Sequence, residues 1–220
     1  MLILAFDAST PVITVALARE EEGKRRVLVE ISATSGGASE ILLQSIHAAL
    51  ELTGEKLESV GRILVGVGPG TFTGIRIAAS TARSLSQSTG IPLAKNSTLA
   101  SLAAPALSIQ PEVLAVLDAK RGQVFAQRFS DEPGEITCMR PEELNAEGEP
   151  LIVGDGAVRY REELSELGAI PPDDSPLHRV TAAGHVLSAD LSPVEPENVV
   201  PLYVREPDAE VRRDLNPWSS

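Results

Sequence analysis

The stretch of this chain richest in chemical potential is Gly66-Val67-Gly68-Pro69-Gly70-Thr71-Phe72-Thr73-Gly74-Ile75-Arg76, an apolar run that passes through glycines into a helical pattern. Free backbone N–H groups and the positive end of the helix dipole make such a place an anion site, and glycine lets a ligand or another backbone come close. Gly68, Gly70, Thr71 and Gly74 therefore read three ways: a structural turn, a phosphate cradle or a partner contact. No Gly-Lys-Ser/Thr follows as in a P-loop, and a dinucleotide fingerprint would need glycine where Thr71 stands. Two carboxylates also end apolar runs. Asp7, with Ser9 and Thr10, follows Leu2–Phe6, and Asp118 follows Leu114–Leu117. An Asp at a strand end can hold a cation beside phosphates or cap its own turn, and capping is the commoner role. His47, His178 and His185 have no zinc-ligand spacing, no Gly-x-Ser-x-Gly is present, and the single cysteine, Cys138, reads as a packed thiol. No catalytic constellation is legible.

Composition narrows the function classes. The chain has 220 residues with 19 Lys and Arg against 31 Asp and Glu, a formal charge of −12, so a nucleic acid or an anionic membrane would meet net repulsion. Aromatic residues are 3% of the chain, too few for a base-stacking platform, which argues further against RNA or DNA binding by this protein alone. One cysteine cannot make an intrachain disulfide and fits a reducing compartment. Asp7 interrupts the first apolar run before signal-peptide length, and the longest uncharged stretch, 96–111, is too short for a membrane span. The expectation is a cytoplasmic globular protein.

The elements that must position these residues follow from pattern. Runs at 2–6, 13–18 and 26–31, separated by turn-prone clusters, predict a three-strand antiparallel meander. A helix over 39–53 lies between Ser39 and Gly54. A strand at 63–67, a loop at 68–70, a helix over 71–89 stopped by Gly90, a strand at 91–94 and a helix over 97–104 ending at Pro105 come next. This β-β-β-α-β-α-β-α order is the ribonuclease-H-like unit. Pro105 and Pro111 then mark a boundary, giving an N-terminal lobe 1–104 and a reduced C-terminal lobe 105–220. The second half opens like the first, with an apolar strand, Asp118-Ala119 and a strand at 124–129, as though one unit were used twice. Strands near 135–139 and 151–153, helices near 141–145, 157–167 and 181–190, an extended 199–204 and a poorly ordered tail from Glu206 complete the expectation.

Two helices carry more apolar or small-residue surface than a one-sided helix needs. Over 39–53, Leu42, Ile46, Ala49 and Leu50 form one stripe, and Ile41, Ala48 and Leu52 a neighbouring one. Over 71–89, Arg76, Ser80, Arg83 and Gln87 share one face, and Phe72, Ile75, Ala79 and Ala82 another. Ile41, Leu42, Ile46, Ala49, Arg76, Ala79 and Arg83 are accordingly the candidate partner interface.

Gly68-Pro-Gly-Thr-Phe-Thr-Gly-Ile-Arg76, with Ile3-Leu-Ala-Phe-Asp-Ala-Ser-Thr10, Asp118-Ala-Lys-Arg-Gly-Gln-Val-Phe125 and Pro201-Leu-Tyr-Val-Arg205, resembles the bacterial TsaB (YeaZ) family over nearly the whole chain. That resemblance implies an actin/Hsp70-like α/β fold of two ribonuclease-H-like lobes, the second reduced. It implies a non-catalytic subunit required by TsaD for threonylcarbamoyl transfer to the adenosine beside the tRNA anticodon. TsaD and the ATPase TsaE are the implied partners, with a homodimer when the chain is alone and tRNA reached only through the complex. No cofactor of its own and no metal are implied; nucleotide would bind only at an interface shared with partners. Asp7, Ser9, Thr10 and Asp118 would be vestiges of the superfamily's phosphate and metal positions. Members commonly open the first helix with His-Ser-Glu, where this chain has Ala38-Ser39-Glu40. The rival classes are an ATP-binding enzyme of the same superfamily, of whose adenosine-binding turn Val153-Gly-Asp-Gly-Ala157 is a weak echo, and an M22-type peptidase, whose ligands are missing.

Overall fold

A computed structural model describes residues 1–34, 37–146 and 148–204. The tail from Glu206 that the sequence marks as poorly ordered lies outside them. The chain opens with β1 (Leu2–Asp7), β2 (Val12–Glu21) and β3 (Lys24–Thr34), followed by α1 (Ala38–Thr53), β4 (Val60–Gly66), α2 (Phe72–Thr89), β5 (Leu93–Asn96) and α3 (Thr98–Leu107). The expected order is present. The sheet runs β3-β2-β1-β4-β5, with β1 antiparallel to β2 and parallel to β4. Central β1 is buried at every residue, which is why Leu-Ile-Leu-Ala-Phe reads as an unbroken apolar run rather than an alternation. Glycine ends both long helices: Gly54 and Gly90 take φ of 68° and 75°, where a Cβ is costly.

The second half repeats the plan. β6 (Val113–Lys120), β7 (Gln123–Phe129), β8 (Thr137–Met139) and β9 (Leu151–Val153) form a sheet in the order β8-β7-β6-β9, the counterpart of β3-β2-β1-β4. The short α4 (Asp155–Arg159), α5 (Arg161–Leu164) and α6 (Ala182–Ser188) follow. Helices cross between the sheets. Leu99, Leu102, Ala103 and Ala106 of α3 pack with Val113, Ala115 and Leu117 of the second sheet. Ala182 and Val186 of α6 instead cover Ile3, Ala5, Ala16 and Ala18 of the first, whose small side chains leave room for a close helix. Packing thus crosses the 104/105 division drawn from the sequence. No helix among the described residues is long and apolar enough to cross a membrane.

Four local expectations change. Pro105 does not end α3 but sits inside it. Proline denies an N–H to the Ser101 carbonyl, and α6 comes up against that oxygen: a Cβ on Gly184 would lie 2.2 Å from it. The helix expected over 157–167 is broken into α4 and α5 at Tyr160, and that near 141–145 is one 3-10 turn, Pro141–Glu143. The extended 199–204 segment joins neither sheet as a strand. It is tied down by the Leu202 N–H donating to the Val67 carbonyl at 2.8 Å, with Val199 fully buried.

Candidate functional site

Asp7 ends β1 with 1% of its surface exposed. Its Oδ1 accepts the Ser9 backbone N–H at 2.5 Å, and its Oδ2 accepts the Thr98 hydroxyl at 2.9 Å and lies 2.8 Å from Nε2 of His185, which is wholly buried. Asn96 Nδ2 lies 3.3 Å from His185 Nδ1 and also donates to the Ser188 hydroxyl. Asn96 at Nδ1 and Asp7 at Nε2 give both ring nitrogens of His185 a polar partner. Burial alone would raise the Asp7 pKa, but the His185 and Ser9 hydrogen bonds outweigh it and hold the carboxyl below its ordinary value. Ser9 Oγ and Thr98 Oγ1 close the network at 2.9 Å, and Thr10 Oγ1 donates to the Val12 carbonyl within the β1–β2 turn. Turn capping, the bland expectation for Asp7 and Thr10, is what the geometry displays.

The glycine loop closes on this turn. A Cβ on Gly74 would stand 1.7 Å from the Ala8 carbonyl oxygen, and one on Gly66 would stand 2.0 Å from Asp7 Oδ2. Thr71 N–H donates to the Ser9 carbonyl at 2.6 Å, and Thr98 N–H donates to that of Gly68 at 2.8 Å. The close approach that glycine permits is made here by the chain's own backbone, as a structural turn requires. Gly68 adds a φ of 97°, and Gly68–Pro69 is a cis peptide.

Asp118 has the same place in the second sheet and different company. Its Oδ1 accepts the Lys120 N–H at 2.8 Å, two residues on, as Asp7 accepts that of Ser9. Its Oδ2 meets Lys120 Nζ at 2.8 Å and Arg159 Nη1 at 3.2 Å, both on exposed side chains. Burial raises its pKa, and the Lys120 bonds and the Arg159 charge bring it below the ordinary value. Asp155, which accepts the Asp118 N–H at 3.0 Å, is pushed the other way by burial and by the Asp118 charge. These residues line an open cleft of about 410 Å³ with His178 and Arg179.

The candidate interface divides. Leu42, Ile46, Ala49 and Ala79 lie in the first core, each at most 5% exposed, because the sheet needs one full face of both helices. They are no surface in this chain. Ile41 is half-buried against that core, while Arg76 and Arg83 are exposed. The exposed apolar side chains near them are Leu43 and Leu52 on α1 and Phe72 at the start of α2, the last 56% exposed although its stripe-mates Ile75, Ala79 and Ala82 are buried. The Arg76 guanidinium sits 3.6 Å above the Phe72 ring centroid, and its Nε donates to Tyr203 Oη at 2.8 Å. Phe72 and Tyr203 are 5.6 Å apart. Asn96 and Thr98 are thus residues that the sequence does not single out, while His185 is read there only as lacking zinc-ligand spacing and Tyr203 only as part of the Pro201–Arg205 match. The packing of Ala182-Ala183-Gly184 around His185 was the one available signal, since small residues mark a helix that packs closely.

A profile of the family described as "TsaD: tRNA N6-adenosine threonylcarbamoyltransferase" matches residues 32–143. The tRNA threonylcarbamoyladenosine biosynthesis protein TsaB of Escherichia coli is 29% identical over 227 residues, covering 93% of this chain and 95% of that protein. The structure of YeaZ from Pseudomonas aeruginosa superposes with a TM-score of 0.76 at 26% identity, over 92% of this chain and 99% of that one. Component A of the Acidaminococcus fermentans (R)-2-hydroxyglutaryl-CoA dehydratase, at 14% identity and TM-score 0.53 over 90% of this chain and 99% of that one, shares the fold alone. The fold is the actin/Hsp70-like α/β type. With a TsaD-family profile over half its length and TsaB and YeaZ proteins matched across nearly all of it, the chain belongs to the TsaB (YeaZ) family.

Proposed function

We propose that this chain is a non-catalytic partner subunit in the synthesis of threonylcarbamoyladenosine on tRNA, with TsaD as the subunit that carries out the transfer. Its family membership carries the proposal. The side chains support it: Asp7, which heads the superfamily's phosphate-facing turn, has both oxygens committed to Ser9, Thr98 and His185 inside the protein, and Asp118 is committed to Lys120 and Arg159. These engagements support a structural role for both carboxylates. The formal charge of −12 supports tRNA contacts made through the complex. TsaE joins the assembly, any nucleotide binds at a shared interface, and the chain works in the cytoplasm, self-associating through its first-half helices when alone.

Such a subunit acts by differential affinity: it shifts TsaD toward its active form only by binding that form more tightly, and a 100-fold preference corresponds to about 2.7 kcal/mol. Reconstitution with purified TsaD, TsaE, tRNA and threonylcarbamoyl-adenylate tests this. Modification should depend on the added chain, and modification that proceeds equally well without it overturns the proposal.

A further inference from the structure

The cleft of about 410 Å³ in the second half has no part in the function proposed above, and its size lies within the roughly 300 to 1,000 Å³ of small-ligand sites. Its carboxylates are already committed. Asp118 takes the Lys120 N–H on one oxygen and Lys120 Nζ and Arg159 Nη1 on the other, Asp155 takes the Asp118 N–H, and Asp173 takes the Arg161 guanidinium. Hydrogen-bond donors are in surplus. Lys120 Nζ and Arg159 Nη1 stand side by side, since both touch one Asp118 oxygen, at 2.8 and 3.2 Å, and each side chain has further N–H groups to give. The Ser175 oxygen accepts the Leu177 N–H, which leaves the hydroxyl proton to donate. Arg179 is exposed, and its guanidinium has no partner among the described residues. His178, with its ring nitrogens meeting the backbone of Gly154 and Pro171, is a wall that fixes the 175–179 segment and brings Arg179 to the cleft. With Arg161 counted, cations outnumber carboxylates here, in a chain whose formal charge is −12.

We propose that this cleft binds a small phosphate-bearing anion, inorganic phosphate or a short phosphomonoester, through Arg179, Arg159, Lys120 and the Ser175 hydroxyl. Donor geometry selects the group. A phosphate dianion offers several acceptor oxygens to donors that converge from three segments of the chain, whereas a single carboxylate leaves some of them empty. The lining limits the size. Among the described lining residues Val158 is the one aliphatic side chain and none is aromatic, so no face is offered to a nucleobase. A polyanion such as RNA meets the repulsion of the whole chain, which a compact ligand inside a cationic cleft largely escapes. Asp118 competes with the ligand, because its carboxylate draws on the same two cations. The cleft is built from second-half residues only, and the inference is independent of the partnership with TsaD.

The test titrates the full chain with inorganic phosphate, glycerol 3-phosphate, AMP and acetate, by calorimetry and by thermal unfolding, at an ionic strength held constant with sodium chloride. Phosphate and glycerol 3-phosphate should bind with Kd of about 1 mM or below and within about threefold of each other, and both should raise Tm. AMP should bind no more tightly than glycerol 3-phosphate, and acetate should have no effect beyond that of chloride. Arg179→Gln should leave the Tm of the free protein unchanged and weaken phosphate binding about tenfold, the scale of a hydrogen bond to a charged group, and Arg179→Lys should recover part of the loss. Asp118→Asn, which keeps an acceptor for the Lys120 N–H and releases both cations, should tighten binding by about threefold. Phosphate with no effect beyond that of chloride overturns the proposal, as does an Arg179→Gln protein that binds phosphate like the wild type. AMP binding tenfold or more above glycerol 3-phosphate overturns the assignment to a small ligand.

Discussion

Asp7 ends β1 and Asp118 lies two residues from the end of β6, in sheets whose orders correspond over four strands, and each accepts the backbone N–H two residues on, yet their second oxygens face opposite worlds. Oδ2 of Asp7 points into protein, where Thr98 and a wholly buried histidine from the far end of the chain complete its shell. Oδ2 of Asp118 points to Lys120 and Arg159 at the surface. The difference follows from what packs over each strand end. α6 crosses to cover the first sheet, guided by the alanines of β1 and β2 and by Gly184, and carries His185 onto Asp7. Strand position therefore sets where the carboxylate stands, and the covering helix sets what it is for: a buried polar staple in one half and, in the other, a carboxylate with only 3% of its side chain exposed that pairs with two exposed cations.

Removing one partner should separate the two halves most sharply. Asp7→Ala strands His185, the Thr98 hydroxyl and the Ser9 N–H in a dry interior, and should cost about 3 to 5 kcal/mol, read by denaturant unfolding. A loss near 1 kcal/mol would mean that water reaches the site. The pH dependence sharpens the contrast. The folded pKa of Asp7 lies below its ordinary value, so its contribution is complete above that value, 3.8, and is lost as pH falls through the folded one. The stability advantage of wild type over Asp7→Asn should accordingly be flat from pH 7 to about 5 and shrink below about 4.

Effects in the second half should be smaller. Asp118→Ala removes a nearly buried carboxylate from two exposed cations and from the Lys120 N–H and should cost about 1 to 2 kcal/mol, and less in high salt. Asp155 runs the other way: its folded pKa is raised, so the fold favours its neutral form, and that contribution is present at low pH and lost as pH rises through the raised value. Asp155→Asn keeps an acceptor for the Asp118 N–H and should be neutral or stabilising by about 0.5 kcal/mol at pH 7, and measurably worse than wild type only in acid.

Much of this plan is legible in the amino-acid sequence, because it is written locally. The apolar runs, the turn at Asp7–Pro11, the glycines at 54 and 90, and the Asp-Ala ending shared by both halves report strand order and internal repetition with short-range signals. The staple is not local: Asp7 and His185 are 178 residues apart, and no spacing announces their meeting. Helix faces were misassigned for a related reason. Leu42 and Ala79 could serve a core or a partner equally well by periodicity, and only the sheet's demand for cover decides. Phe72 shows the converse, a residue in phase with the buried stripe that lies one turn beyond the sheet's edge of cover and is exposed beside Arg76. Pro105 misled because the carbonyl it frees is met by another helix, which the chain before it cannot reveal.

The most direct test of the central claim, that this chain works as a partner and not through a catalytic carboxylate of its own, is the rate of threonylcarbamoyladenosine formation in a reaction of TsaD, TsaE, tRNA and threonylcarbamoyl-adenylate. It is measured without this chain, with the wild type and with Asp118→Ala, whose folding and TsaD binding are verified beforehand. The account predicts that omission abolishes modification and that Asp118→Ala supports the wild-type rate within about twofold, since no barrier of the reaction passes through that side chain. A folded, TsaD-binding Asp118→Ala protein whose rate falls by 100-fold or more would contradict it.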